Sequence, residues 1–282
     1  MNKGLRIFSL TTSMIVKIFV LIVFVFPFLW MFSVALQTDQ ETIATDPVTI
    51  IPMTPQFVNF ATAWGRGPFP TYLKNSILVI IFIIITQVFV MVPAAYAFAK
   101  YEFKGKGLLF SLVLIAFMTP TQITFLPVYQ MMAKWRIGDF KILQTLVPQI
   151  LPFITNAFGI FLLRQYFMQV PNELIEAAKL DKSSETKIIF RIMLPMSKAA
   201  LSTVTLFSFV SHWNEYFWPL VMTNTTNVRP LTVGIAILRD TEGLLQWNVI
   251  MAGNVILVLP ILLVYIFASR NIIKAFAYSG IK

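Results

Sequence analysis

Residues Ile77 to Ala99 read ILVIIFIIITQVFVMVPAAYAFA, a run of 23 residues without one charged side chain. As a helix rising 1.5 Å per residue it covers about 35 Å, which exceeds the roughly 30 Å hydrocarbon layer of a bilayer. Exposing such a run to water is costly, whereas lipid or the interior of a bundle in lipid accepts it. The segment sets the fold class as a helical membrane protein.

Five further runs have comparable length and composition: Met14 to Leu36, Leu108 to Met132, Leu143 to Leu163, Ala199 to Val221 and Val249 to Ala268. The sequence thus predicts an all-α membrane protein with six transmembrane helices. Of the 282 residues, 57% are hydrophobic and 12% charged, with mean hydropathy +0.77; a water-soluble domain carries about a quarter charged residues. Six spans of roughly 20 residues leave only connecting segments, so no separate soluble domain fits. The first run ends without a small-residue cleavage site and is expected to be a retained helix. Pro93, Pro120, Pro127, Pro148, Pro152 and Pro260 fall in or beside these runs, where neighbouring helices can satisfy the freed backbone groups. The chain has no cysteine and one histidine, His212, which excludes disulfides, thiolate chemistry and a multi-histidine metal cage. No metal site and no catalytic residue is expected; His212 reads as a packed or hydrogen-bonded side chain.

The net charge of +10 is read through topology. Six spans put both termini on one side. With that side cytoplasmic, fifteen of the 22 basic residues face inward, including Lys3, Lys104, Lys187 and Lys282, and seven face outward. Basic residues concentrate on cytoplasmic connections, so orientation accounts for the charge and nucleic-acid binding is not needed to explain it. The Lys100 to Lys106 connection is read as topological anchoring alone. Two outer segments, Gln37 to Leu73 and Met222 to Trp247, are long enough to form short helices and loops.

The inner segment Arg164 to Lys198 is more than a connector. Pro171 and Asn172 can start a helix in which Leu174, Ala177 and Ala178 share one face while Glu173, Glu176 and Lys179 stay polar. Asp181-Lys182-Ser183-Ser184 breaks it. Ser183 or Ser184 can cap a second helix carrying an Ile188, Ile189, Ile192 and Met193 stripe as far as Pro195. The hairpin is either an amphipathic segment on the membrane surface or a docking knob for a partner protein.

At this loop Glu176-Ala177-Ala178-Lys179-Leu180-Asp181, followed by Leu194-Pro195, resembles the Glu-Ala-Ala motif of bacterial ATP-binding-cassette importer permeases. Lys182 stands where that family usually has glycine, which makes a left-handed turn there more costly. The resemblance extends through Asn75-Ser76, Ala95 to Ala99, Phe103 to Lys106, Trp213-Asn214-Glu215 and Ser279 to Lys282, and resembles the smaller six-span subunit of the maltose-type heterodimer. It implies a type I importer fold with a first helix and extracytoplasmic segment over 1–73. A five-helix permease core follows over 74–282, with a coupling loop at 164–198 and a cytoplasmic tail at 269–282. It also implies a multi-pass protein of the bacterial cell membrane that imports a sugar. Its partners would be a second permease, two cytoplasmic ATPases that grip Glu176, Ala177, Ala178, Leu180, Asp181, Lys182 and Pro195, and an extracytoplasmic solute-binding protein. A permease of the same family for a non-sugar solute such as a glycerol phosphate is the alternative. The chain has no Gly-x-x-x-x-Gly-Lys-Ser/Thr phosphate loop, so ATP and Mg²⁺ would be bound by partner subunits, with no cofactor in this chain.

Trp213-Asn214-Glu215-Tyr216 lies toward the outer end of the fifth run. One reading is a polar and aromatic contribution to a sugar path or gate; the other is a hydrogen-bonded cluster at the membrane interface. A secondary transporter would place ionisable groups near the bilayer midplane, and an intramembrane enzyme would need a nucleophile or ligand set; neither pattern is evident.

Overall fold

The computed structural model describes residues 3–43, 50–239 and 245–279. In chain order the helices are α1 Lys3–Ala35, α2 Asp39–Ile43, α3 Val58–Gly65, α4 Phe69–Lys100, α5 Lys106–Met118, α6 Thr121–Lys134, α7 Val147–Ile150, α8 Ala157–Met168, α9 Asn172–Leu180, α10 Glu185–Ile188, α11 Leu194–Met196, α12 Lys198–Trp213, α13 Phe217–Met222, α14 Leu231–Ala236 and α15 Trp247–Ser279. A two-residue antiparallel ladder, β1 Arg136–Ile137 with β2 Phe140–Lys141, closes the turn after α6. Gly280, Ile281 and Lys282, which end the tail expected from the sequence, lie outside the described residues.

Four helices among the described residues are long and apolar enough to cross a bilayer: Thr11–Ala35, Phe69–Lys100, Val147–Met168 and Trp247–Phe267. Two bent pairs bring the number up to six if each is counted as one broken span, Lys106–Met118 with Thr121–Lys134 and Glu185–Met196 with Lys198–Trp213. Several expected spans are therefore not straight rods. The Leu108 to Met132 run bends by 96° at Thr119–Pro120. Pro120 has no N–H to continue α5, and it forces Thr119 into extended backbone at φ −80°, ψ 118°. The Leu143 to Leu163 run opens with single turns around Pro148 and Pro152. It becomes regular only where Asn156 Oδ1 accepts from Gly159 N at 2.9 Å and caps α8. The Ala199 to Val221 run stops at Trp213 and resumes as α13.

By backbone packing the chain divides into two units. One comprises residues 1–69 and 234–260, the other 70–233 and 261–282. In the first, Thr38 and Glu41 form a capping box on α2: Thr38 N donates to Glu41 Oε2 at 2.8 Å and Glu41 N to Thr38 Oγ1 at 3.3 Å. Glu41 also accepts from Met53 N at 2.9 Å, and these backbone donors hold its carboxyl below the usual range. Asn59 Nδ2 donates to the carbonyls of Ala35 and Gln37 and ties α3 to the end of α1.

The larger apolar core of the second unit is built from α4, α8, the α9–α11 hairpin and α12, and a smaller one gathers Met132, Ile142, Leu143, Trp218 and Met222. Val92, Ala95, Leu163, Phe167, Ile188, Met193, Ala200 and Val204 are all fully buried in the larger core. Small residues let these helices approach: a Cβ at Gly159 would lie 2.9 Å from Val204 Cγ1 and 2.6 Å from Met91 Sδ. Gln87, which is 3% exposed, supplies the polar contact inside this apolar interior.

Candidate functional site

The hairpin forms as the sequence indicates, with one turn resolved in a way that sequence left open. Ser184 is the cap of α10, accepting from Lys187 N at 3.4 Å. Lys182 takes φ +55°, the left-handed conformation that favours glycine. It does so inside a Schellman closure of α9, in which Ser183 N donates to Ala178 O and Lys182 N to Lys179 O. The two bonds satisfy carbonyls that would otherwise be orphaned and offset a backbone cost of about 1–2 kcal/mol. The second helix continues from α10 through a π-helical turn, Ile189–Met193, into α11. It then bends 85° into α12 beyond exposed Pro195.

Ala177 and Ala178, expected to share one face, are divided. Ala178 and Ile175 point into the core, together with Ile188 and Met193. Ala177 is exposed with Leu174, Glu173, Glu176, Leu180 and Asp181, and Leu180 is 84% exposed. Residues 175 and 178 are three apart and face the same way, whereas 174 and 177 lie a quarter-turn round the helix. A partner would meet Ala177, not the buried side chain of Ala178, and Ala178 serves to seat α9.

The hairpin is also fastened to the end of α4 by polar contacts that sequence reasoning missed. Glu185 Oε2 accepts from the Tyr96 hydroxyl at 3.1 Å, Glu185 Oε1 lies 3.2 Å from Lys179 Nζ, and the Tyr101 hydroxyl feels the charge of this carboxylate. Tyr96 and Tyr101 meet edge to face at 5.6 Å, and Lys179 sits 5.7 Å from the centre of the Tyr101 ring. Burial, followed by the influence of Glu185, raises the Tyr101 hydroxyl above the usual phenol range. Lys100 Nζ donates to Val170 O at 2.6 Å and to Asn172 Oδ1 at 2.8 Å, bridging α4 to the start of α9. Arg164 Nε donates to Phe98 O at 3.1 Å and its guanidinium lies 4.2 Å from the Phe110 ring centre. Topological anchoring therefore does not exhaust the role of Lys100. The spacing of Tyr96, Lys100 and Tyr101 around the end of a span was the available signal, but their partner Glu185 lies 89 residues away from Tyr96 and nothing local pairs them. Side chains of the Lys179–Glu185 pair are about half exposed, so the pair itself contributes about 0–1 kcal/mol and apolar packing carries the hairpin.

At the other end of α12 the four candidate path residues separate into different roles. Trp213 is 4% exposed and stacks on Phe209 at 5.6 Å, as a packing residue does. Asn214 closes α12, with its N–H and Nδ2 both donating to Val210 O. Tyr216 is exposed. Glu215 Oε1 accepts from Trp218 N at 3.1 Å, stabilising the first turn of α13, and its carbonyl accepts from Thr232 Oγ1 at 2.8 Å. Glu215 also lines a cavity of about 310 Å³ with Thr121, Gln122, Phe125, Phe153, Ser211, His212, Phe217 and Trp218. Four aromatic walls and a ring of hydroxyl, amide and carboxylate groups surround it, with no lysine or arginine among them. His212 meets Phe153 at 4.8 Å between ring centres. Phe125, Phe153 and Trp218 were not singled out from the sequence, because α6 and the turns before α8 are brought to α13 only by tertiary packing.

Apolar helices of spanning length, broken spans and an inserted amphipathic hairpin define a polytopic membrane protein in class. The chain belongs to the family of binding-protein-dependent transport system inner membrane components, whose model matches residues 91–278. It is 31% identical over 267 residues to the arabinooligosaccharides transport system permease protein AraQ of Halalkalibacterium halodurans, covering 94% of this chain and 93% of that one. It is 30% identical over 280 residues to the sn-glycerol-3-phosphate transport system permease protein UgpE of Salmonella choleraesuis, covering 97% and 96%. Its fold is similar to a chain of a bacterial ABC transporter involved in the import of the acidic polysaccharide alginate, with TM-score 0.81, 23% identity and coverage of 96% and 98%. The chain is thus a membrane permease subunit with the type I importer fold.

Proposed function

We propose that this permease is one of two transmembrane subunits of an ATP-driven bacterial importer that carries a carbohydrate, delivered by an extracytoplasmic binding protein, into the cytoplasm. The family match over residues 91–278 carries the transport reading, and the resemblance to AraQ supports a sugar. The resemblance to UgpE favours a glycerol phosphate nearly as strongly by identity alone. The cavity supports the sugar reading: its acidic group is Glu215 and its lining has no lysine or arginine, which suits the hydroxyls and apolar faces of a neutral sugar better than a phosphate.

In this reading the hairpin and both termini are cytoplasmic. The exposed face of α9, centred on Ala177 with Glu176, Leu180 and Asp181, docks a partner ATPase. Lys182 and Pro195 shape the hairpin that presents it. ATP and Mg²⁺ belong to the two ATPases, and this chain has no enzymatic role. Affinity purification of the tagged chain from its host membrane should bring a second permease and an ATPase. Uptake by cells with and without the chain should then differ for labelled arabinotriose and not for labelled sn-glycerol 3-phosphate. Loss of glycerol phosphate uptake alone would replace the sugar reading.

A further inference from the structure

The hairpin is joined covalently to α8 and α12 and to neither end of α4, so any movement it makes reaches α4 only through side chains. The polar ones are Glu185, held by the Tyr96 hydroxyl, and Lys100, which holds Val170 O and Asn172. Beneath them Ile188 and Met193 make fully buried apolar contacts, which resist separation but have no preferred direction for sliding. The hydrogen bonds are directional and fix the register.

Nine residues further along α4, about 14 Å of helix, Gln87 makes the next polar fastening. Its Nε2 donates to Phe153 O at 2.9 Å and its Oε1 accepts from Ser208 Oγ at 2.7 Å. Phe153 forms a wall of the Glu215 cavity, and Ser211 and His212 follow Ser208 within the next turn of α12. One continuous helix, with Pro93 between the two points, thus has one polar clasp on the hairpin and another on the cavity wall.

We propose that Glu185 is a positioning residue that clasps the hairpin to α4, so that displacement of the hairpin is delivered through α4 and Gln87 to the wall of the Glu215 cavity. This inference rests on the ATP-driven reading given above. It does not depend on which solute is carried, because the device is mechanical and its output is the exposure of the cavity.

The test uses the full importer, purified with its partner permease and ATPases and reconstituted in lipid. A reporter cysteine at Ser211, which is exposed and lines the cavity, is introduced into this cysteine-free chain, and the parent complex lacking it gives the background. Its labelling rate by fluorescein maleimide is compared without nucleotide and after trapping with ATP and vanadate. A change of about fivefold or more is expected on trapping, collapsing toward unity in Glu185→Ala and in Tyr96→Phe while hydrolysis and subunit yield stay near parental. An unaltered response in both variants overturns the proposal. Should Glu185→Ala fail to assemble, Tyr96→Phe decides, since it removes one hydroxyl; failure of that variant to assemble also overturns the proposal by making the contact architectural. A Ser211→Cys reporter with no nucleotide response in an otherwise active parent complex contradicts it too. Absence of any co-purifying ATPase would instead strike the ATP-driven reading itself.

Discussion

Ser208 donates a 2.7 Å hydrogen bond to Gln87, 121 residues earlier in the chain, deep in the apolar unit of α4, α8 and α12. Both side chains are at least 95% buried, and the other end of the Gln87 amide satisfies Phe153 O. Replacing Gln87 by leucine keeps the volume but leaves a hydroxyl and a carbonyl without their partner. A loss of about 1–2 kcal/mol is expected, at the upper end for hydrogen bonds between membrane helices. It should appear as a lower melting temperature of the detergent-solubilised complex, and an unchanged one would show that water or another group replaces the amide.

Lys182 occupies a left-handed position that the Schellman bonds of α9 impose. Lys182→Gly should relieve a backbone cost of about 1 kcal/mol, partly offset by the freer unfolded chain, whereas Lys182→Val should worsen it. Hydrogen exchange of the Ser183 amide reports this directly: slower in the glycine variant and faster in the valine variant. The reverse order would mean that the turn does not hold its φ.

Gly159 faces Val204 and Met91 at distances no Cβ occupies comfortably. Met91 can swing its thioether aside, but the branched Val204 cannot. Gly159→Ala should cost about 1–3 kcal/mol through overpacking, and Gly159→Leu more. Melting temperature of the assembled complex is the readout, and the double variant with Val204→Ala should recover most of the loss.

Trp213 and Glu215, two residues apart, should respond to substitution in opposite ways. Trp213→Ala removes a buried ring and should destabilise the complex by about 3–5 kcal/mol. Glu215→Gln retains an oxygen acceptor for Trp218 N while removing the charge from the cavity. Complex yield should be preserved and uptake kinetics changed. Equal yields for both variants would contradict the packing assignment of Trp213.

Runs such as Ile77 to Ala99 carry the membrane fold by themselves, because length and the absence of charge are local properties. The hairpin was legible for the same reason: Pro171, Ser184 and the Ile188 to Met193 stripe announce starts and an apolar face within a few residues. The bends were not, since a proline inside an apolar run can kink, break or leave a span, and neighbours decide which. The split between Ala177 and Ala178 depends on the angle at which α9 lands on the core, a tertiary quantity. Nothing in the local sequence singles out Glu185, and only the arrival of Tyr96 from α4 ties it to that helix. The cavity drew on Phe125, Phe153 and Trp218, from three separate stretches whose convergence no spacing encodes.

The central claim is that the outward face of α9 is the seat of a partner ATPase, and Ala177→Trp tests it most directly. Because Ala177 is exposed, the substitution should leave membrane insertion and pairing with the second permease intact. Ala178→Trp, forced into the core, should prevent folding and serves as the contrast. The amount of ATPase co-purifying with the Ala177→Trp chain should fall by about tenfold or more, equivalent to roughly 1.4 kcal/mol of docking energy, with loss of uptake in the same cells. Parental levels of both ATPase and uptake would contradict the account.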